Sequence, residues 1–223
     1  MPTDTFTIEA LLEPAAVITG IVCVALTVRR HIVNWPIGIV SSALFLALFM
    51  RAGLYADSIL QVLYVGLGFY GWRHWLRGGP GDREAPVGVA SWRFRGLLAV
   101  GVVLATLAFG AFLDATTDST VPYPDAATTV LSLTAQLLLT RKLIDNWPVW
   151  IFGVNVPYIG LYLYKGLGMT AALQILYIAL SVAGWVAWRR ALSAERAADR
   201  AAARVADMAA DANPSAAVPA VLG

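Results

Sequence analysis

Apolar residues along this chain come in blocks rather than in alternation, and short clusters of charge separate the blocks. A helix needs about 20 mostly apolar residues to cross a hydrocarbon layer roughly 30 Å thick. Seven blocks approach that length: 11–28, 34–50, 54–75, 94–113, 124–140, 146–164 and 166–188. Several uncharged runs inside them span only about 15 residues, which snorkelling flanks can accommodate. The pattern predicts an all-α integral membrane protein with seven transmembrane helices. Beyond Leu192 an alanine-rich charged stretch lacks apolar periodicity. It is expected to extend the last helix by a few turns, fray at Asn213 and Pro214, and act as a dispensable tail.

Composition points the same way, with 59% hydrophobic and 13% charged residues, against roughly 25% charged in soluble domains. A net charge of +2 leaves no footprint for nucleic acid. The position of charge matters more than its sum, because cytoplasmic loops of membrane proteins concentrate Lys and Arg. With the N-terminus outside, 14 of the 16 basic residues fall on the inner side, and only Arg51 and Lys165 lie outside. The longest outer loop, DATTDSTVPYPD, is acidic. This predicts a multi-pass membrane protein, N-terminus out and C-terminus cytoplasmic. The first residues lack the basic n-region of a cleavable signal and are expected to be retained. One cysteine, Cys23, excludes an intramolecular disulfide, and His31 and His74 alone cannot build a zinc site. No metal or other cofactor is expected.

The blocks repeat. Arg29, Arg30, Asn34, Trp35 and Pro36 match Arg141, Lys142, Asn146, Trp147 and Pro148 at an offset of 112. Gly53, Leu54, Gln61, Tyr64, Gly71, Trp72 and Trp75 then match Gly166, Leu167, Gln174, Tyr177, Gly184, Trp185 and Trp188 at 113. Two three-helix units joined by a single helix form a 3+1+3 parallel repeat about an axis along the membrane normal, an arrangement in which transporters hold substrate between the repeats. The expected units are 1–92, a linker helix with outer loop at 93–123, 124–192, and the tail 193–223. The one-residue change of offset puts an insertion inside the sixth block, where WIFGVNVPY is the expected place of a π-bulge.

Polar groups at membrane depth either bind ligand or join helices. Gln61 and Tyr64 share a helical face that Gln174 and Tyr177 repeat, and Gln136 and Asn155 add two amides. For Gln61, Gln136 and Asn155 both readings stand. Trp150, one turn into its block, is expected to wall a cavity, whereas Trp75 and Trp188, beside arginines, are expected in interfacial belts. Asn34 and Asn146 precede Trp-Pro and are expected to cap their helices, as is Asp125 after Pro124. No charged side chain sits in the middle of a block. A neutral cavity of amides, hydroxyls and aromatic rings suits a ring that is neutral or a delocalised cation, carrying a hydroxylated portion. Without a nucleophile elbow, phosphate loop or paired catalytic carboxylates, enzyme activity is not expected.

Between Val17 and Arg190 the chain resembles the PnuC family of bacterial vitamin-precursor transporters. The resemblance is carried by Asp125, by Leu139–Thr140–Arg141–Lys142, by Asn146, Trp147, Trp150 and Asn155, and by Tyr164–Lys165–Gly166. It implies a SWEET-like fold, facilitated diffusion of nicotinamide riboside, a homotrimer, and contact of Trp150 and Asn155 with the riboside. Related branches imply thiamine, riboflavin or deoxynucleosides as alternatives. The family spacing leaves three residues between that tryptophan and asparagine. Four intervene here, Ile151 to Val154, at the same insertion that the repeat offset detects.

Overall fold

A computed structural model describes residues 3–51, 55–164 and 168–212. Gly53, Leu54, Lys165, Gly166, Leu167, Asn213 and Pro214 lie outside the described residues. The chain forms α1 (Thr3–Val28), α2 (Asn34–Arg51), α3 (Tyr55–Arg77), α4 (Trp92–Thr116) and α5 (Pro122–Thr140). A continuous rod over 146–164 is α6, and α7 is Gly168–Ala212. Among the described residues there is no β-strand. Each apolar block is a helix, and the ends of α2 to α6 fall within two residues or so of the charge clusters that punctuate the sequence. α1 starts earlier than its apolar block and carries Pro14 within it, while α7 runs far past Leu192. By length and composition, Asn34–Arg51, Trp92–Thr116 and Ala171–Met208 are each apolar enough to cross a membrane unaided. Polar residues of the central cavity lie on spans of both kinds, Asn34 and Ser41 on α2, Gln61 and Tyr64 on α3, and Gln174 and Tyr177 on α7.

α1 packs on α2 and α2 on α3, and α6 packs on both α5 and α7, giving two three-helix units. α4 rests on α5, outside the units it connects. The units meet along two seams, α3 against α5 and α1 against α7. Exchanging the repeats exchanges the seams, as a two-fold relation requires.

The repeat extends to backbone detail. α1 ends with Arg30 at φ 58 and α5 with Lys142 at φ 54. In both, the left-handed residue donates to the carbonyl three back, Thr27 or Leu139, at 2.9 Å, and the next residue donates to Leu26 or Leu138 at 3.0 Å. This is the Schellman closure, made twice without glycine. The chain then turns directly into α2 or α6, so the first two helices of each unit lie antiparallel.

At the end of the molecule where the arginines gather, four tryptophans form the core. Trp35 and Trp147 meet Trp75 and Trp188 edge-on at 5.3 and 5.5 Å, and Trp75 meets Trp188 at 5.7 Å. Trp75 and Trp188 are 1% and 0% exposed, which corrects their expected place in interfacial belts. Each crosses a seam: Trp75 Nε1 donates to the Leu139 carbonyl and Trp188 Nε1 to that of Thr27, both at 3.0 Å. Those carbonyls already close the Schellman turns, so the indoles use their second lone pairs.

The loop between α3 and α4 straps the α3–α5 seam. Lys142, buried over the Trp75 ring, reaches Glu84 at 2.6 Å and the Ala85 carbonyl at 2.8 Å. Asp145 accepts from the Ala90 backbone at 2.8 Å and pairs with Arg95 at 2.6 Å. The α1–α7 seam has a looser counterpart, Arg30 with Glu195 at 3.4 Å, both substantially exposed. Glu195 and Leu192, which packs against the tryptophans, tie the first turn of the tail into the fold.

Candidate functional site

Above the tryptophans the six helices of the two units enclose a cavity of about 540 Å³. Its walls follow helical periodicity. α1 turns Glu13, Val17, Gly20, Cys23 and Thr27 inward, α3 turns Gln61, Tyr64 and Gly68, and α7 turns Gln174, Tyr177 and Ser181. Trp150, Asn155, Gln61, Gln136, Gln174, Tyr64 and Tyr177, the seven residues singled out from sequence, all line this one space. Gln61, Gln174 and Asn155 are buried within the protein.

The duplication is not a perfect copy, and the differences shape the cavity. At the offset of 112, Gly20 stands opposite Ser132, Val24 opposite Gln136 and Gly38 opposite Trp150. The second unit therefore brings a hydroxyl, an amide and an indole where the first leaves room. Tyr64 faces Ser132 across the α3–α5 seam, both in the cavity wall. At the matching place Gly20 has no side chain to offer, and a Cβ there would lie 3.1 Å from Tyr177 Oη and 3.3 Å from Ser41 Oγ. The result is an asymmetric chamber with one stacking wall.

Val149–Asn155 winds as a π-helix, with the Val156 backbone N–H donating to the carbonyl of Ile151, five residues back. In such a turn the residue five ahead takes the face that an α-helix gives to the residue four ahead. The extra residue is absorbed inside the turn. Trp150 and Asn155 consequently share the cavity face despite the four residues between them, and Ile151 and Val154 pack inward at 4% and 2% exposure.

The cavity floor is made by Asn34, Trp35, Asn146 and Trp147. The two asparagines do not cap their helices by accepting from them. Each donates its side-chain amide to the preceding loop, Asn34 to the His31 carbonyl at 2.8 Å and Asn146 to that of Leu143 at 2.6 Å. Trp35 Nε1, Trp147 Nε1 and Asn146 Oδ1 are buried without a partner among the described residues. Gly71 and Gly184 lie directly under the Trp35 and Trp147 rings, where a Cβ would collide with the indole carbons. Asp125 does not cap α5 either. Val121 takes the cap position, and Asp125 accepts from Ser119 Oγ at 2.9 Å from within the first turn.

Sequence reasoning missed the tryptophan seal beneath the floor, although a signal was present. Trp75 and Trp188 occupy equivalent places in both repeats, and a belt residue facing lipid has no need to be duplicated at a packing position. Glu13, near the start of the first block, was not singled out from sequence, whereas α1 carries this carboxylate into the cavity mouth. Among the described lining residues Glu13 alone is charged. No group of three His, Cys, Asp or Glu among the described residues could hold a metal ion. The chamber can stack a flat ring and bond hydroxyls and amides.

The sequence profile of the nicotinamide mononucleotide transporter family matches residues 10–190. The chain is similar to the nicotinamide riboside transporter PnuC of Escherichia coli, 24% identical over 196 residues, covering 76% of this chain and 80% of the relative. It is also similar to PnuC of Neisseria mucosa, 28% identical over 198 residues, covering 83% and 74% respectively. The riboflavin/roseoflavin transporter RibM of Streptomyces davaonensis is 28% identical over 177 residues, covering 77% and 81%. Among solved structures, the crystal structure of the vitamin B3 transporter PnuC superposes with a TM-score of 0.67 at 25% identity and 85% coverage of both chains. With four-fifths of its length matched, and with a duplicated helical fold built around one central cavity, this chain belongs to the nicotinamide mononucleotide transporter family.

Proposed function

We propose that this protein is a bacterial inner-membrane facilitator that takes up nicotinamide riboside by facilitated diffusion. The observation that carries the reading is the shared cavity face of Trp150 and Asn155, restored by the π-helix and lining one chamber with the duplicated Gln61–Tyr64 and Gln174–Tyr177 faces. The pyridinium ring stacks on Trp150, and the side-chain amides of Gln61, Gln136, Asn155 and Gln174 bond the ribose hydroxyls and the carboxamide. Tyr64 and Tyr177 close the sides. The basic end faces the cytoplasm, following the distribution of Lys and Arg, so the tryptophan cluster seals the inner side.

Transport follows from rocking of the two three-helix units about their shared axis. Opening inward parts the seams, which breaks the Trp75–Leu139 and Trp188–Thr27 bonds and uncovers the unpartnered indole and amide groups of the floor to water. No step requires a proton or ion carrier, because the described walls hold no Lys, Arg, His or Asp and keep their one carboxylate, Glu13, at the mouth, and net flux runs down the riboside gradient. The protein acts as a transporter and not as an enzyme. The resemblance to PnuC supports a homotrimer, which the mass of the protein–detergent complex tests.

Riboflavin is the second reading, favoured by the 28% identity to RibM and by a chamber of about 540 Å³. Calorimetry of the purified protein against nicotinamide riboside, riboflavin, thiamine and a deoxynucleoside decides between them. Heat with the riboside alone is the expected result. Silence with the riboside and heat with another ligand would retain the transport mode and replace the cargo.

A further inference from the structure

Helical spacing along α1 puts Glu13 on the same inward stripe as Val17, Gly20, Cys23 and Thr27. Thr27 belongs to the floor end of the cavity and Glu13 to the mouth, so the carboxylate stands at the entrance on the side of the acidic loop. It is exposed, and the other described residues that line the cavity are neutral. At the matching place in the second repeat is Asp125, also an acid, but its Oδ2 accepts a hydrogen bond from Ser119. Arg51, the basic residue that ends α2 on this side, is not among the lining residues. A neutral chamber that has a single carboxylate at its entrance distinguishes ligands by charge before it distinguishes them by shape.

We propose that Glu13 is a charge-selecting residue, one that draws a cationic ring into the mouth and favours it over a neutral ring of the same outline. The proposal rests on the riboside reading above, in which the cargo carries its positive charge on the pyridinium ring. Attraction between an exposed carboxylate and a delocalised cation is modest and screened by salt. It acts on capture from dilute solution, while stacking on Trp150 acts on retention. The same carboxylate gives an uncharged flavin no advantage, so Glu13 bears directly on which of the two cargo classes this protein prefers.

The test compares nicotinamide riboside with its reduced dihydropyridine form, which has nearly the same shape and no ring charge. Calorimetry on the purified full chain measures both ligands with wild type, Glu13→Gln and Glu13→Asp at low and high salt. Expected is a loss of about two- to fivefold in affinity of Glu13→Gln for the cationic form at low salt. That loss shrinks at high salt, is restored by Glu13→Asp, and is absent for the reduced form. Equal losses for the two forms, or no loss for either, would overturn the proposal while leaving the riboside reading intact. A wild-type protein that binds neither form would overturn both.

Discussion

Trp150 and the two floor glycines show how much single residues decide here. If the riboside ring stacks on Trp150, Trp150→Ala should weaken its binding by about 1–3 kcal/mol, the usual size of a ring contact to a base-like face. Calorimetry on the variant checks this, and unchanged affinity would place the ring elsewhere. Gly71 and Gly184 allow the Trp35 and Trp147 indoles to lie against the helix backbone. A methyl group at either place forces the ring out of a well-packed cluster, at a cost of about 1–3 kcal/mol. Thermal unfolding in detergent should therefore shift down for Gly71→Ala and for Gly184→Ala by similar amounts, since the repeat makes the two sites equivalent. A shift at one site alone would mean that the two halves of the cluster carry unequal load.

At the scale of the element, α6 is the informative helix. The offset change in the sequence located one extra residue between the Asn-Trp-Pro motif and the helix end, and the π-helix at Val149–Asn155 is where the chain accommodates it. Deleting Gly153 should convert this segment to α-helix, keep Trp150 and the asparagine on one face, and preserve riboside binding. Inserting one alanine after Gly153 should instead swing the asparagine about 100° from the cavity, with a loss of roughly tenfold or less for one hydrogen bond. Circular dichroism and calorimetry on the pair separate loss of fold from loss of contact. The helix ends of α1 and α5 were less legible. Their left-handed closing residues are Arg30 and Lys142, not the glycine or asparagine that marks such a turn in sequence. The strap formed by the α3–α4 loop was not visible at all, because the partners Glu84 and Lys142 are far apart in the chain and each reads as an ordinary surface charge.

For the whole molecule, the two seams have the same indole latch but different outer fastenings. Lys142–Glu84 is tight and largely buried on the lysine side, while Arg30–Glu195 is longer and exposed. Removing one indole donor with Trp188→Phe leaves a ring in place and loses a buried hydrogen bond, about 1 kcal/mol, at the looser seam. The closed basic end should then open more often. Cys23 lines the cavity and is the chain's one cysteine, so its labelling by an impermeant maleimide applied from the cytoplasmic side should speed up in Trp188→Phe relative to wild type. Trp75→Phe should give a smaller increase, because the α3–α5 seam keeps its strap. Equal rates in all three proteins would mean that the indole latches do not govern inward access.

Helix number, approximate bounds, the duplication and the polar residues that share the cavity were legible along the chain. These are properties of local periodicity, of charge punctuation and of a copied segment, and each can be read along the chain. Packing of the two repeats settled what the copies do to each other. It put Trp75 and Trp188 in a buried seal instead of in belts, turned Asn34 and Asn146 toward loop carbonyls, and carried Glu13 into the mouth. The physical reason is that a side chain's hydrogen-bond partner and its exposure depend on which helix lies opposite. For the two sealing tryptophans that neighbour comes from the other repeat, more than 60 residues away between Trp75 and Leu139 and more than 160 between Thr27 and Trp188.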